Sequence, residues 1–210
     1  KYASFVDPHT VELVDNKGKT ERVTARYFVV AVGGRPAYPD IPGAKEYGIT
    51  SDDIFWLAEN PGKTLVVGAS YISLECSGFL LNYGNDVTVM VRSIFLRGFD
   101  QDMANKIAAD MEILGMKFIR DSIPTKIEKN EETGKLTVYY QTGESHEESS
   151  IEVDNVLFAI GRNAITQGLN LDNAGLKAES NGKFKTDKYQ RTNIEHIYAI
   201  GDVIYGQLEL

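Results

Sequence analysis

Cysteine, basic residues and long apolar runs are scarce in this sequence, and each shortage excludes something. The single cysteine, Cys76, cannot form a disulfide within the chain, and this usage fits a reducing compartment. Lys and Arg number 22 against 30 Asp and Glu, and the net charge of −8 argues against a nucleic-acid or anionic-membrane partner. No apolar run reaches the length of a membrane span, and residues 1–10 lack the pattern of a signal or transit peptide. We expect a cytoplasmic protein without nucleic-acid or membrane partners, with the mitochondrion as the alternative compartment.

Metal-ligand spacings are also missing. The three histidines, His9, His146 and His196, lie in polar or turn contexts with no carboxylate or nucleophile at a telling spacing. We interpret all three as structural or exposed residues and expect no metal site. The length of 210 residues allows one large or two small domains with a real core.

A strand, a tight turn and a helix are predicted over residues 64–84. Thr64–Val67 is a short β-branched and apolar run, and an apolar periodic segment continues to Tyr83 before Gly84 ends it. Strand, turn and helix in this order begin the βαβ unit that binds dinucleotide phosphates.

The turn carries a degenerate form of the glycine fingerprint G-x-G-x-x-G/A. Gly68 takes its first position, and Ser70 and Ser73 take the other two. Serine is small enough for the close backbone approach and helix–strand packing that these positions need, and the helix start would direct its free N–H groups at a pyrophosphate. We therefore expect Gly68, Ala69, Ser70 and Ser73 to bind a dinucleotide, the alternative being an ordinary strand–helix turn.

Arginines follow the next predicted strand, residues 86–91. In a dinucleotide fold the residue at the end of this strand contacts the ribose, and an acid there suits NAD. This sequence instead has Arg92 and Ser93 at that point, with Arg97 shortly after. Because a guanidinium can fork onto a 2′-phosphate, we expect NADP(H), the alternative being a solvated loop.

Three segments carry a resemblance to a known family. Residues 68–76 (GASYISLEC), 91–107 (VRSIFLRGFDQDMANKI) and 192–202 (TNIEHIYAIGD) resemble the NADPH domain and adjoining flavin segment of the pyridine nucleotide–disulfide oxidoreductases. Within that family, the sequence is most similar to the large, animal-type thioredoxin reductases and thioredoxin-glutathione reductases. The resemblance covers nearly the whole chain and implies that the chain is the central part of a longer protein.

The resemblance implies catalytic roles for two residues of the predicted helix. Tyr71 would cover the flavin until the nicotinamide displaces it, the alternative being a packing residue. Glu75, one turn further on, would contact the nicotinamide carboxamide and a lysine beside the flavin, the alternative being a solvated helix charge. The neighbouring Cys76 is expected to be a buried small residue and not a redox thiol.

Residues elsewhere are implied to contact FAD or bound NADPH. Asp202 follows a predicted strand that ends at Gly201, and by resemblance it would accept a hydrogen bond from the ribityl chain of FAD. The alternative is an exposed turn residue. The further candidates lie at glycine turns and at the chain end: Gly33, Gly161, Arg162, Glu209 and Leu210.

Other elements are predicted from patterning. A hairpin joins residues 10–14 to 22–24, a short helix over 54–59 is capped by Ser51-Asp52-Asp53, and residues 143–150 form an exposed polar segment before a strand over 151–160. A helix over Gln101–Leu114 follows the cap residue Asp100. Its core-facing stripe is expected to consist of four residues at helical spacing: Met103, Ile107, Met111 and Leu114.

The fold class expected is α/β, with one domain inserted in another. Residues 36–157 should form a Rossmann-like NADPH-binding domain, a three-layer arrangement of parallel sheet plus antiparallel strands. Residues 1–35 and 158–210 should form part of an FAD-binding domain. VVAVGGR at 29–35 and LFAIGR at 157–162 suggest two related nucleotide-binding halves, or two unrelated strand ends.

The implied function is that of an NADPH-dependent flavoprotein disulfide reductase. Hydride would pass from NADPH to FAD, and electrons would pass on to a disulfide outside this chain, such as that of thioredoxin, in a homodimer. The alternatives are a glutathione reductase-like enzyme and a non-catalytic NADPH-binding module. With one cysteine and no second glycine fingerprint, the chain alone is expected to bind NADPH but neither to retain FAD nor to reduce a disulfide.

Overall fold

The computed structural model describes residues 1–143 and 147–206. The chain divides into two compact units, one formed by Lys1–Arg35 with Arg162–Leu210 and the other by Pro36–Gly161. Among the described residues, no helix is long and apolar enough to cross a bilayer.

Short strands make up most of the regular structure of the described residues. In chain order they are β1 Tyr2–Asp7, β2 Thr10–Val14, β3 Thr20–Thr24, β4 Phe28–Val30, β5 Gly34–Pro36, β6 Ile49–Thr50, β7 Thr64–Val67, β8 Val87–Met90, β9 Lys117–Ile119, β10 Ser122–Lys129, β11 Leu136–Thr142, β12 Glu147–Val153, β13 Asn155–Phe158, β14 Arg162–Ala164 and β15 Ile197–Ala199. The α-helices are α1 Ala44–Tyr47, α2 Tyr71–Asn82 and α3 Gln101–Ile113. Single 3₁₀ turns cover Ile54–Trp56, Leu171–Ala174 and Gly201–Val203.

A parallel sheet forms the centre of the unit Pro36–Gly161. Its strand order is β6-β13-β7-β8-β9, with Thr64 opposite both Asn155 and Val87 in register. The strands β7 and β8 are buried along their whole length, as expected for short apolar runs covered on both faces.

The two faces of this sheet are covered by different layers. Val66 and Val89 pack with α2 and α3 on one side. Leu65 and Val67, which alternate with Val66 along β7, pack on the other side against the antiparallel sheet β10-β11-β12. Helices, parallel sheet and antiparallel sheet are thus three layers, and the predicted mixed α/β class is confirmed.

Helix α3 packs through a different stripe from the predicted one. Its buried residues are Ala104 and Ala108, whereas Met103 is 55% exposed and Ile107 and Leu114 are also exposed. Only Met111 of the predicted stripe packs against the core. The prediction was wrong because small alanine side chains let the helix approach the sheet closely, which turns the larger side chains at the neighbouring positions outward.

The prediction of a helix over residues 54–59 was also wrong, both in the length of the helix and in its N-cap. Only the 3₁₀ turn Ile54–Trp56 forms. The Asp53 carboxylate does not cap it but accepts hydrogen bonds from the backbone N–H and the hydroxyl of Thr50, at 2.8 and 2.9 Å. A side chain committed to the preceding strand cannot satisfy the helix start, so no longer helix is nucleated.

The segment after Gly143 is more regular than predicted. Residues 147–150, expected to be an exposed polar connection, are exposed at most positions but belong to β12, which pairs antiparallel with β11. The expected single strand over 151–160 is two strands, β12 and β13, in two different sheets. Hydrogen bonds to Lys63 O from the N–H groups of Asp154 and Asn155 fix the break between them.

The other unit is built around smaller sheets. The predicted hairpin forms as the antiparallel sheet β1-β2-β3, and Gly18 supplies the left-handed residue of its turn with φ 77°. Strand β4 pairs in parallel with β15, and β5 pairs with β14. The core of this unit includes Phe5, Phe184 and Ile197.

Candidate functional site

The turn after β7 requires glycine at its first residue. Gly68 has φ 122°, and a Cβ at this position would clash with the carbonyl oxygen of Ala159. Its N–H donates to Met90 O at 3.0 Å. The chain therefore leaves β7 pressed between the ends of both neighbouring strands, β13 and β8, and no larger residue fits there.

The two serines of the turn are held by hydrogen bonds to backbone groups. Ser70 is the N-cap of α2, where its hydroxyl accepts from the N–H of Ser73 and donates to Ala159 O at 3.1 Å. The Ser73 hydroxyl donates to Gly68 O at 2.7 Å, and the residue is fully buried. Small polar residues thus bring the start of α2, with its positive dipole end, close against the turn.

The arginine-bearing segment, residues 91–100 between β8 and α3, lies beside this turn at the same edge of the sheet. Arg92 and Ser93 come directly after β8, which is the parallel neighbour of β7. Arg97 donates from Nη2 to the Ser93 hydroxyl at 2.8 Å. Leu96 donates its N–H to Ala69 O at 2.8 Å, so the segment is bonded directly to the turn.

Both guanidinium groups are available for an anion. Arg92 and Arg97 are exposed, and within residues 1–143 and 147–206 no carboxylate forms a salt bridge with either of them. In a chain with a net charge of −8, two cations without acidic partners beside a helix N-terminus are suited to a phosphate.

Tyr71 and Glu75 lie one turn apart at the start of α2. Tyr71 is the first helical residue and is half-buried. Glu75 is exposed, and its carboxylate bonds to no residue in the described part of the chain. The lysine partner implied for Glu75 stays a prediction, as do the catalytic roles of both residues.

Cys76 has the environment of a structural residue. It is 3% exposed on the core side of α2. Burial, and to a smaller extent the Glu75 charge, raises the pKa of the Cys76 thiol to about 11. Because the thiolate is the reactive form, this cysteine is inert near neutral pH, in agreement with the interpretation as a small buried residue.

Three candidate residues of the other unit follow neighbouring parallel strands. Gly33 comes after β4, and Gly201 and Asp202 come after β15. The two strand ends are joined by the hydrogen bond from Ile200 N–H to Val30 O at 3.1 Å. Gly33 and Gly201 have positive φ values of 67° and 74°, and no described residue pairs with the half-buried Asp202 carboxylate. This edge is a second place where polar groups converge at strand ends.

Two of the remaining candidates, Gly161 and Arg162, end the second of the two similar sequences, residues 157–162. Gly161 has φ 137° after β13, and Arg162 donates from Nη2 to Gly34 O at 2.8 Å in the ladder between β5 and β14. The last residues of the two similar sequences, 29–35 and 157–162, thus lie in paired strands, a contact that the sequence did not predict. Glu209 and Leu210 lie outside the described residues.

His9 and His196 contact each other and backbone carbonyl groups. The rings of His9 and His196 stack at 4.0 Å and bond to the carbonyl oxygens of Ala25 and Pro8. No group of three or more potential ligands that could hold a metal occurs in residues 1–143 and 147–206. The structural interpretation of these two histidines agrees with these bonds, whereas His146 lies outside the described residues.

Comparison with known sequences gives one family and close relatives. The family model described as pyridine nucleotide-disulphide oxidoreductase matches residues 1–210. The chain is 53% identical over 206 residues to thioredoxin reductase SEP1 of Emiliania huxleyi and 50% identical over 209 residues to mitochondrial thioredoxin reductase 2 of Drosophila melanogaster. These alignments cover 98% and 99% of the chain but only 41% and 40% of the relatives, so the chain spans about two fifths of their length.

Solved structures agree with the fold. The Cu(II) complex of the HOCl-induced flavoprotein disulfide reductase RclA from Escherichia coli has a TM-score of 0.87 and is 26% identical. The match covers 99% of this chain and 46% of that protein. A single-site variant of the same reductase gives a TM-score of 0.88 at 27% identity.

Proposed function

This chain belongs to the pyridine nucleotide-disulphide oxidoreductase family, and on that premise we propose that its Pro36–Gly161 unit binds NADPH. The observation that carries the proposal is the pair Arg92 and Arg97, which lack acidic partners in the described chain and follow the strand next to the Gly68 turn. A 2′-phosphate satisfies such a pair, whereas the 2′-hydroxyl of NADH leaves both charges without a counter-ion.

The residues of the turn fit the pyrophosphate of the same cofactor. The surroundings of Gly68 leave no space for a side chain, and the buried Ser73 keeps the first turn of α2 against the sheet. Ala69 and Ser70 complete the turn that would surround the pyrophosphate, and the Ser93 hydroxyl accepts a hydrogen bond from Arg97. Phosphate oxygens at the N-terminus of α2 would be stabilised by its backbone N–H groups and dipole.

We propose FAD as the second cofactor, contacted by the unit that contains Gly33, Gly201 and Asp202. A carboxylate at the carboxyl end of a parallel strand is suited to accept a hydrogen bond from a ligand hydroxyl. NADPH supplies a hydride and FAD accepts it when both are bound. Tyr71, as a mobile aromatic over the flavin site, and Glu75, as an acceptor for the nicotinamide amide, are proposed to orient this transfer, and Gly161, Arg162, Glu209 and Leu210 to line the cofactors.

The activity proposed for the protein that carries this chain is reduction of a protein disulfide such as that of thioredoxin. Two relatives that are 53% and 50% identical are named thioredoxin reductases, which favours this substrate over glutathione. We further propose a homodimer in the cytoplasm. The mitochondrial relative supports the mitochondrion as the alternative compartment.

Calorimetric titration of the 210-residue chain with NADPH and with NADH tests the proposed cofactor. NADPH should bind at least about a hundredfold more tightly than NADH, which corresponds to about 2.8 kcal/mol. Equal affinities would show that the arginines do not bind a 2′-phosphate. Disulfide reduction by the longer protein, assayed with thioredoxin and with glutathione disulfide in parallel, tests the substrate.

A further inference from the structure

A glutamine outside the predicted site residues holds the arginine-bearing segment together. The Gln101 side-chain nitrogen, Nε2, lies within hydrogen-bond distance of three carbonyl oxygens, those of Phe95 at 3.2 Å, Leu96 at 3.3 Å and Phe99 at 3.1 Å. A carboxamide has only two N–H donors, so at least one hydrogen is shared between two acceptors. One side chain thus satisfies carbonyl groups on both sides of Arg97.

These bonds stabilise an unusual backbone conformation. Leu96 has φ 45°, in the left-handed region that a leucine rarely adopts. Its carbonyl oxygen also accepts from the N–H of Phe99 at 2.9 Å, and its own N–H donates to Ala69 O in the Gly68 turn. Leu96 therefore connects the segment to the turn. The Gln101 hydrogen bonds offset the free energy that the left-handed backbone conformation of Leu96 costs.

The middle of the segment is fixed by packing. Phe95 is 3% exposed and meets Phe118 edge to face at 4.9 Å between ring centroids. Arg120 lies over the Phe95 ring at 4.9 Å, while its Nη2 donates to Glu112. Phe95 is thus anchored by packing and Leu96 is bonded to the turn, and Arg97 is the next residue along the chain.

We propose that Gln101 is a positioning residue for cofactor discrimination. It sets the distance from Arg97 to Arg92 and to the Gly68 turn, so that both guanidinium groups contact a 2′-phosphate together. This inference rests on the proposed function, because it requires NADPH as the ligand. Gln101 itself contacts no phosphate in this proposal and acts only through the backbone of residues 95–99.

The decisive variant is Gln101→Met, which keeps the length of the side chain and removes its donors. The 210-residue chain with this change should bind NADPH about tenfold more weakly, because a displaced Arg97 loses a charge-assisted hydrogen bond to the 2′-phosphate, and should bind NADH within about twofold of the parent. The matched control is Asn105→Met, since Asn105 is an exposed amide one turn further along α3 that bonds to no described residue. The control should leave both affinities unchanged.

A double-mutant cycle with Arg97→Ala shows whether Gln101 acts through that arginine. In the Arg97→Ala background, Gln101→Met should no longer change the NADPH affinity. Should Gln101→Met fail to fold, as judged by circular dichroism, Gln101→Glu repeats the test with the same shape and no donor. Asn105→Asp is its charge control.

The outcomes separate the inference from the proposed function. If the parent chain prefers NADPH and Gln101→Met keeps that preference, the inference is overturned and the proposed cofactor stands. Equal losses for NADPH and NADH would assign Gln101 a general structural role and overturn it as well. If the parent binds both nucleotides equally, the proposed cofactor fails and the inference falls with it.

Discussion

Two successive strand–loop–helix segments of the same sheet differ in the length and the residue types of their loops. Between β7 and α2 the chain needs only residues 68–70, and the serines at 70, 73 and 77 direct their hydroxyls to backbone groups. Between β8 and α3 it uses residues 91–100, which carry two exposed arginines. The first segment depends on small residues that leave no space for a larger side chain, whereas the second depends on positive charge. Substitutions in the first should therefore weaken binding of every dinucleotide, and substitutions in the second only binding of one with a phosphorylated ribose.

The largest effect is expected at the buried serine of the first segment. Ser73→Leu should abolish binding of NADPH and NADH alike, because the residue is fully buried and its hydroxyl bonds to Gly68 O. A leucine there forces the start of α2 away from the sheet. Calorimetry with both nucleotides measures the effect, and a thermal melt checks folding.

Ser73→Ala is the matched control for this change. It loses one hydrogen bond, about 0.5–1.5 kcal/mol of stability, but keeps the close packing, so nucleotide binding should persist. Normal NADPH binding by Ser73→Leu would place the phosphate site elsewhere in the molecule.

The second segment should separate the two cofactors. The double variant R92A/R97A should lose at least about a hundredfold in NADPH affinity, since each charge-assisted bond contributes on the order of 1.5–3 kcal/mol. NADH binding should stay nearly unchanged. The variant R22A/R26A removes the same charge from the region of β3 and should alter neither affinity; parallel losses for both cofactors in R92A/R97A would contradict the assignment.

A smaller, pH-dependent effect is expected from the core side of α2. The pKa of the Cys76 thiol is about 11 in the folded chain against an ordinary value of 9.0 for an exposed thiol. Well below pH 9 the thiol is protonated in both the folded and the unfolded chain and has no effect on the pH dependence of stability. As the pH rises from about 9 to about 11, only the unfolded chain loses the proton, so stability falls.

Urea unfolding of the parent and of Cys76→Ala between about pH 8 and about pH 11 isolates this contribution. The gap in unfolding free energy should shrink with rising pH, because the alanine variant lacks the titrating group. A gap that is constant over this range would show that the thiol ionises equally in both states.

The smallest effect is expected on the outer side of α3. Met103→Gln should change the free energy of unfolding by no more than about 0.5 kcal/mol, since the side chain is mostly exposed. Ala108→Met, on the buried side of the same helix, should cost about 1–3 kcal/mol through overpacking. The reverse ranking in denaturant unfolding would restore the methionine stripe as the core face.

Patterns of short range were predictable from the sequence. Thr64–Val67, the helix that follows it and the Asp100 cap were predicted close to their observed bounds, because strand runs, capping residues and terminal glycines act within a few residues. The α3 stripe failed because Met103 and Ala104 are one position apart, and periodicity alone does not decide which neighbour faces the sheet.

The sequence by itself determined the α/β class, the family and the identity of the candidate phosphate-binding residues, since these depend on residue type and local spacing. Only the tertiary structure decided that Ala159 O leaves no space beside Gly68, that Leu96 bonds to Ala69, and that β12 and β13 belong to different sheets. These contacts join residues far apart in the chain or depend on one unusual φ angle. Local patterns carry no information about either, because packing between layers selects them.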